Sequence, residues 1–448
     1  MKRLSSVTGI LGSSMALAGV LLATRGLAAA KDVVVSQKFG TSIELDAFLV
    51  AFGVMTFLAS VISNAGTSTL VPALSRARSD SEPGAEARLV VVAAATAIVL
   101  CSLLVAAVVL FRVQLSSWVA PGFDPERAVA VQNLLVALAP VPLLGTLQSI
   151  IASTLNARYG FRGAAAITAI TPLCVAAALL LRRHPTAYDL ATGTILGMTL
   201  EVVCLVVLTH RRKISLFGAV PLSTAVRALS GLARDFLPLL AGTALGSTAP
   251  LVDQAFASAV GPGSIATLSY ANRITALGMG IGISSIGLIA LPHFSELAAR
   301  KAWLEMGGLL RKLATATFLL ALPVAIGIGV LSEPLIRVVF ERGRFVASDT
   351  AEVASVQTLY ALQIPFHLAG IVGVRALNAM RKNGTIMLIV VWNVVSNVVG
   401  DYVFMKFFGL RGIALATSVT YMVSCGAILA FAGLEIGRLA KLSTVEKL

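Results

Sequence analysis

Two stretches of this chain, Leu89 to Leu110 and Ile274 to Ser295, each run for 22 residues without an Asp, Glu, Lys or Arg. At about 1.5 Å of rise per residue, such a run makes a helix of about 33 Å, enough to cross the roughly 30 Å hydrocarbon core of a bilayer. Similar runs recur along all 448 residues. With 57% hydrophobic and 12% charged residues and a mean hydropathy of +0.90, the chain lacks the polar surface that a water-soluble globule of this size needs. It is expected to be an all-α polytopic membrane protein.

The apolar runs predict about twelve transmembrane helices, at 7–27, 47–70, 89–111, 129–155, 164–181, 189–209, 229–257, 265–292, 312–331, 353–379, 385–407 and 412–434. The connections between them are too short for a soluble catalytic domain. Lys2-Arg3, an apolar run and Ala28-Ala29-Ala30 imitate a cleaved secretory signal, but Arg25 interrupts the approach to the site, so the segment is read as a retained span.

A net charge of +14 raises a nucleic-acid partner, yet basic residues in a membrane protein report topology first. With the N-terminus inside, the even-numbered loops and both tails hold most of them, including Arg76, Arg78, Arg211, Arg212, Lys213, Arg300, Lys301, Arg381 and Lys382. Both termini are therefore expected to be cytoplasmic, and no nucleic acid is expected to bind. Cys101, Cys174, Cys204 and Cys425 all fall inside apolar spans and form neither a disulfide framework nor a metal motif.

The chain also repeats itself at an offset close to half its length. Val131-Gln132, Pro140, Gly145 and Leu155-Asn156-Ala157 answer Val356-Gln357, Pro365, Gly370 and Leu377-Asn378-Ala379 in the same order and at nearly the same spacing. Leu70-Val-Pro-Ala-Leu-Ser75 likewise answers Ala290-Leu-Pro-His-Phe-Ser295. The repeat implies two pseudo-symmetric six-helix bundles, residues 1–215 and 216–448, pointing the same way around a central cavity, by analogy with other parallel-repeat carriers.

Several blocks carry a family likeness: Thr24-Arg-Gly-Leu-Ala-Ala-Ala-Lys-Asp32, Phe39-Gly40, Asp46-Ala-Phe-Leu-Val-Ala-Phe52, Ala120-Pro-Gly-Phe-Asp124, Ser269-Tyr-Ala-Asn-Arg273, Phe340-Glu-Arg-Gly-Arg-Phe345 and Gly409-Leu-Arg-Gly-Ile-Ala-Leu-Ala416. In this order and spacing the chain resembles the MurJ (MviN) lipid II flippase family of the multidrug/oligosaccharidyl-lipid/polysaccharide exporter superfamily. The resemblance implies a flippase, not an enzyme. It would move an undecaprenyl-diphosphate-linked saccharide from the inner to the outer leaflet of a bacterial cytoplasmic membrane by alternating access, as a monomer among membrane lipids. The family's basic pair in span 2 falls on Ala59 and Ser60, its nearby acidic position on Asn64, and the acidic residue after the span 8 arginine on Ala276. Peptidoglycan members also continue past span 12 with two more helices. The expectation is a shorter relative, its cargo either lipid II or a related surface-polysaccharide unit.

Charge inside a membrane faces a wet cavity or a partner, because at mid-bilayer it costs about 2.5 to 3.5 kcal/mol. Arg25, Lys31, Arg273 and Arg375 are the basic candidates for substrate contact, since guanidinium groups offer paired donors that fit diphosphate oxygens. Against this stands anchoring at helix ends, or an ion pair such as Lys31 with Asp32. The resemblance adds Asp46. Asn397 and Asp401, four apart on one helix face, offer hard oxygens suited to a small cation. By the resemblance, they join Asp253, Thr417 and the carbonyl of Ile413 as ligands of a sodium ion, the single cofactor expected. Asp401 also reads as an interfacial residue beside Tyr402 and Lys406. Glu201, alone in span 6, has no assignment.

Two rival functions share the hydropathy. A drug and cation antiporter of the MATE type should line its cavity with acidic or aromatic side chains, whereas the best-placed residues here are arginines. A membrane glycosyltransferase or polymerase should show a large soluble loop or clustered carboxylates, and neither is visible.

Overall fold

The computed structural model describes residues 2–79, 85–157, 161–212 and 239–445, and among these residues all regular structure is helical. Contacts divide the chain into two compact units, Met1–Val119 with Phe123–Ser247, and Ala120–Gly122 with Thr248–Leu448. The boundary expected after residue 215 adjoins 213–238, outside the described residues; helical residues 239–247 group with the first unit.

Unit 1 contains α1 (Lys2–Phe39), α2 (Ile43–Ser79), α3 (Ala85–Leu110), α4 (Arg112–Val119), α5 (Pro125–Ala137), α6 (Val141–Ala157), α7 (Phe161–Ile167), α8 (Ile170–Leu180) and α9 (Ala187–Arg211). Unit 2 contains α10 (Ala249–Val260), α11 (Ser264–Ala299), α12 (Trp303–Val330), α13 (Ser332–Phe340), α14 (Ala347–Ala361), α15 (Gln363–Ala379), α16 (Asn383–Phe408) and α17 (Leu410–Val445). Among the described residues, eight helical segments are long and apolar enough to span a membrane, nine if the bent pair α5 and α6 counts as one. Of the other expected spans, 7–27 lies in α1 and 265–292 in α11. Span 229–257 falls partly outside the described residues and ends in α10.

The sequence repeat reappears as repeated packing. In unit 1, α2 packs on α5, α6 and α3, and α8 on α9; in unit 2, α11 packs on α14, α15 and α12, and α16 on α17. The bend between α5 and α6 is 41°. It falls where Pro140 can neither donate a backbone hydrogen bond nor fit inside a straight helix, and the α14–α15 break precedes Pro365 in the same way. Asp124 starts α5 by accepting from Arg127 N at 2.9 Å, with Pro125 at the first helical position.

Each unit has its own apolar interior. Leu70, Leu74, Val90, Ala97 and Ile150 join α2, α3 and α6, while Phe294, Met306, Leu310, Val372, Leu377 and Ile428 join α11, α12, α15 and α17. Large apolar side chains also point outward, among them Leu103, Leu181, Leu320, Val330 and Phe407. Such a surface is stable only against lipid, and helices that satisfy their own backbone groups are what a bilayer tolerates.

Two family blocks prove to be packing devices. In the Pro-Gly-Phe-Asp loop, Gly122 lies so close to α10 that a Cβ there would sit 2.2 Å from Ser258 O; Gly122 N instead donates to Ser258 Oγ at 3.3 Å. In unit 2, Phe340 and Phe345 flank the loop after α13 and close on Tyr270 of α11, at centroid distances of 5.1 and 5.4 Å.

Candidate functional site

The acidic group lies within unit 2, where α10, α16 and α17 pack together. Asn397 Nδ2 donates to Asp253 Oδ1 at 3.2 Å. Thr417 Oγ1 shares its proton between Ile413 O at 3.1 Å and Asp253 Oδ2 at 3.5 Å, leaving its lone pairs free. Asp401, wholly buried one turn beyond Asn397, stands within hydrogen-bonding reach of the Asp253 carboxyl. Two carboxylates have no proton to share, so Asp401 Oδ1 and Oδ2 have no partner, and Asn397 Oδ1 has none either. The structure thus brings all five expected residues together. Tyr402 does pair with Lys406 through its hydroxyl at 2.6 Å, but Asp401 is turned into the bundle instead of toward them.

Among the described residues no Lys or Arg pairs with Asp253 or Asp401. Buried carboxylates without a counter-charge are strongly unfavourable, so a proton or a cation must compensate them. The donor set is carboxylate, amide oxygen, hydroxyl and backbone carbonyl, all hard oxygens, which fits an alkali or other hard cation and not a soft metal.

The basic candidates are dispersed. Arg25 is half-buried on α1, seven residues before Asp32 and hence on the same helix face. Lys31 Nζ bridges Asp32 Oδ1 at 2.7 Å, so the ion-pair reading describes its geometry. In unit 2, Arg273 is exposed on α11. Arg375, half-buried on α15, brings Nη2 to within 3.4 Å of where a Cβ on Gly287 would lie, and its Nε is buried without a partner. Gly287 is fourteen residues beyond Arg273, about 21 Å along α11, so one diphosphate cannot engage both arginines. Asp46 is 1% exposed in the first turn of α2, where a carboxylate favours the helix N-terminus.

Sequence reading missed the setting of Glu201. The carboxylate accepts from Gln148 Nε2 at 2.7 Å and from Thr171 N at 2.8 Å. Thr171 N is free because the span breaks between α7 and α8, just before Pro172, which offers no N–H to the turn behind it. The signal was present: a lone carboxylate in an apolar span demands a partner, and Pro172 opens a helix end in the neighbouring span.

A family model described as "Lipid II flippase MurJ" matches residues 35–436. A protein of Synechocystis sp. named "Probable lipid II flippase MurJ" is 27% identical over 442 residues, covering 93% of this chain and 79% of that protein. The fold resembles a solved structure titled "Lipid II flippase MurJ, inward closed conformation", with a TM-score of 0.81 at 22% identity, covering 96% of this chain and 90% of that one. It also resembles an inward-facing multidrug MATE transporter, with a TM-score of 0.77 at 14% identity, covering 95% of this chain and 99% of that one. Fold alone therefore does not separate flippase from drug antiporter, whereas the family match does.

Proposed function

Because this chain belongs to the MurJ family, we propose that it translocates a polyprenyl-diphosphate-linked saccharide, lipid II or a surface-polysaccharide unit, across the bacterial cytoplasmic membrane by alternating access. The family match over residues 35–436 carries this reading. The eight or nine apolar spans supply the membrane setting, and the distribution of Lys and Arg favours cytoplasmic termini. It works as a transporter and as a single chain.

Arg25 in unit 1 and Arg273 in unit 2 are each proposed as a diphosphate contact, through a guanidinium fork whose charge complements phosphate oxygens. Asp253, Asn397, Asp401, Thr417 and the Ile413 carbonyl would hold a sodium ion, which supplies the positive charge that the buried carboxylates lack. The residues that would hold it lie on α10, α16 and α17, so the charge it would supply is tied to the packing of these three helices.

Complementation of a flippase-depleted strain tests the reading, with surface accessibility of the lipid-linked saccharide as the readout. Arg25→Ala or Arg273→Ala should slow translocation about ten- to a hundredfold, the cost of one charge-assisted contact, at normal membrane levels of the protein. Lys at either position should restore only part, since a point charge lacks the fork. Wild-type rates in both Ala variants would remove the cationic site, and failure of the wild type to flip any lipid-linked saccharide would remove the function.

A further inference from the structure

Unit 1 holds a cavity of about 410 Å³ bounded by α2, α6, α7, the α7–α8 break and α9, within the range of about 300 to 1,000 Å³ usual for small-molecule sites. Among the described residues its wall contains no basic side chain, and Glu201 is its one charged residue.

The hydrogen-bond directions on this wall are mostly one-sided. Thr56, Ser60 and Thr168 each spend their hydroxyl proton on a backbone carbonyl three or four residues back, Phe52 O at 2.8 Å, Phe57 O at 2.8 Å and Ala165 O at 2.7 Å. Thr67 does the same with Ser63 O, so in the 3.1 Å contact between Thr67 and Ser149 the proton comes from Ser149. Gln148 gives its amide protons to Glu201 Oε2 and to Met198 O. Ser63, also on the wall, keeps its hydroxyl proton uncommitted, so what faces the cavity is chiefly lone pairs: hydroxyl oxygens, the Gln148 amide oxygen and the unused side of the Glu201 carboxylate. The groups are held in place by bonds already made, so little ordering remains to be done on binding.

A largely apolar wall whose polar groups are mostly acceptors, with one carboxylate among them, disfavours phosphate. It suits a group that brings many donors and no negative charge. Ala152, Ala164, Ile167 and Leu205 add apolar surface for the carbon face of a ring.

We propose that this cavity is the subsite for the saccharide of the lipid-linked substrate, its sugar hydroxyls and amide N–H groups donating to Thr56, Ser60, Ser149, Thr168, Gln148 and Glu201. The assignment rests on the flippase reading and adds to it: the sugar is held in unit 1 by uncharged acceptors and one carboxylate, apart from whatever binds the diphosphate.

Two probes separate the parts, undecaprenyl diphosphate carrying a disaccharide and undecaprenyl diphosphate alone, each titrated into the full chain in lipid nanodiscs. The wild type should bind the glycosylated lipid about tenfold more tightly, the worth of one or two net hydrogen bonds. Ser60→Leu, which fills the cavity, and the shape-preserving pair Ser60→Ala with Ser149→Ala should erase that preference and leave affinity for the bare lipid unchanged, which also shows that the variants fold. Equal wild-type affinity for both lipids would overturn the subsite while leaving the flippase reading intact. So would variants that lose both lipids alike. Binding of neither lipid by the wild type would overturn both readings. Tetraphenylphosphonium binding abolished by Ser60→Leu, with no sugar preference in the wild type, would assign the cavity to a cation and end the proposal.

Discussion

The helix pairs α8–α9 in unit 1 and α16–α17 in unit 2 occupy the same place in the repeat and are put to different uses. Thr194 donates to Leu190 O at 2.8 Å and Thr417 to Ile413 O at 3.1 Å, the same back-bond at equivalent positions of the two halves. Opposite Thr417 stand Asn397 and Asp401; at the equivalent positions of the first half the chain has Cys174 and Ala178. Without those oxygens the unit 1 pair closes tightly: Cβ atoms on Gly193 and Gly197 would lie 3.0 Å from Val175 Cα and 2.5 Å from Thr171 Cα. The unit 2 pair also closes tightly beside its turn, where a Cβ on Gly412 would lie 2.1 Å from Phe404 O, but next to the oxygens the approach is milder, Gly400 against Ala416 at 3.1 Å. One pair is a clamp of small residues, the other a cradle of oxygens. Duplication preserved the helix geometry and left the chemistry of the seam free to diverge.

The largest effect should come from forcing the clamp open. Gly197→Leu places side-chain atoms where Thr171 backbone now lies, and should lower stability by about 3 kcal/mol, read as loss of folded protein in detergent. Tolerance of Leu there would show that the seam is not tight. Next comes the cradle: sodium at a hundred times its dissociation constant should stabilise the protein by about 2.7 kcal/mol over equal potassium or choline, seen as a higher unfolding temperature. Asp401→Asn should abolish the sodium shift, and absence of any selective shift in the wild type would leave the carboxylates compensated by a proton. Glu201→Gln should cost only about 1 kcal/mol, since the amide can still accept from Thr171 N but turns a donor toward Gln148. Because it lies in the clamp unit, it must leave the sodium shift intact; a lost shift would mean the two seams are not independent. Smallest of all, Gly400→Ala should change stability by less than about 0.5 kcal/mol, because helix preference offsets the few tenths of an ångström by which the two helices must part at Ala416.

Much of this was legible in the chain. Uncharged runs gave the spans, since only helices of that length satisfy backbone groups in lipid, and the near-constant offset between the two halves foretold the paired packing. The oxygen cluster was readable because Asn397 and Asp401 sit one turn apart and family likeness supplied Asp253 and Thr417. Two things were hidden. The Glu201 partners depend on a helix break whose effect reaches across to another span, and hydropathy does not register a turn of lost hydrogen bonding. The acceptor wall depends on which way hydroxyl protons point, a property of helix carbonyls near Thr56 and Ser60 that residue type leaves open.

The aromatic cluster of Tyr270, Phe340 and Phe345 ties a loop to α11 three residues from Arg273. Loop and arginine thus ride on the same turn of one stiff rod, and any tilt of α11 that moves the guanidinium must swing the loop as well. A dye attached at Arg344 would then behave as the pointer of a gauge, registering each stroke of the transporter from outside the bilayer without touching the chemistry within it.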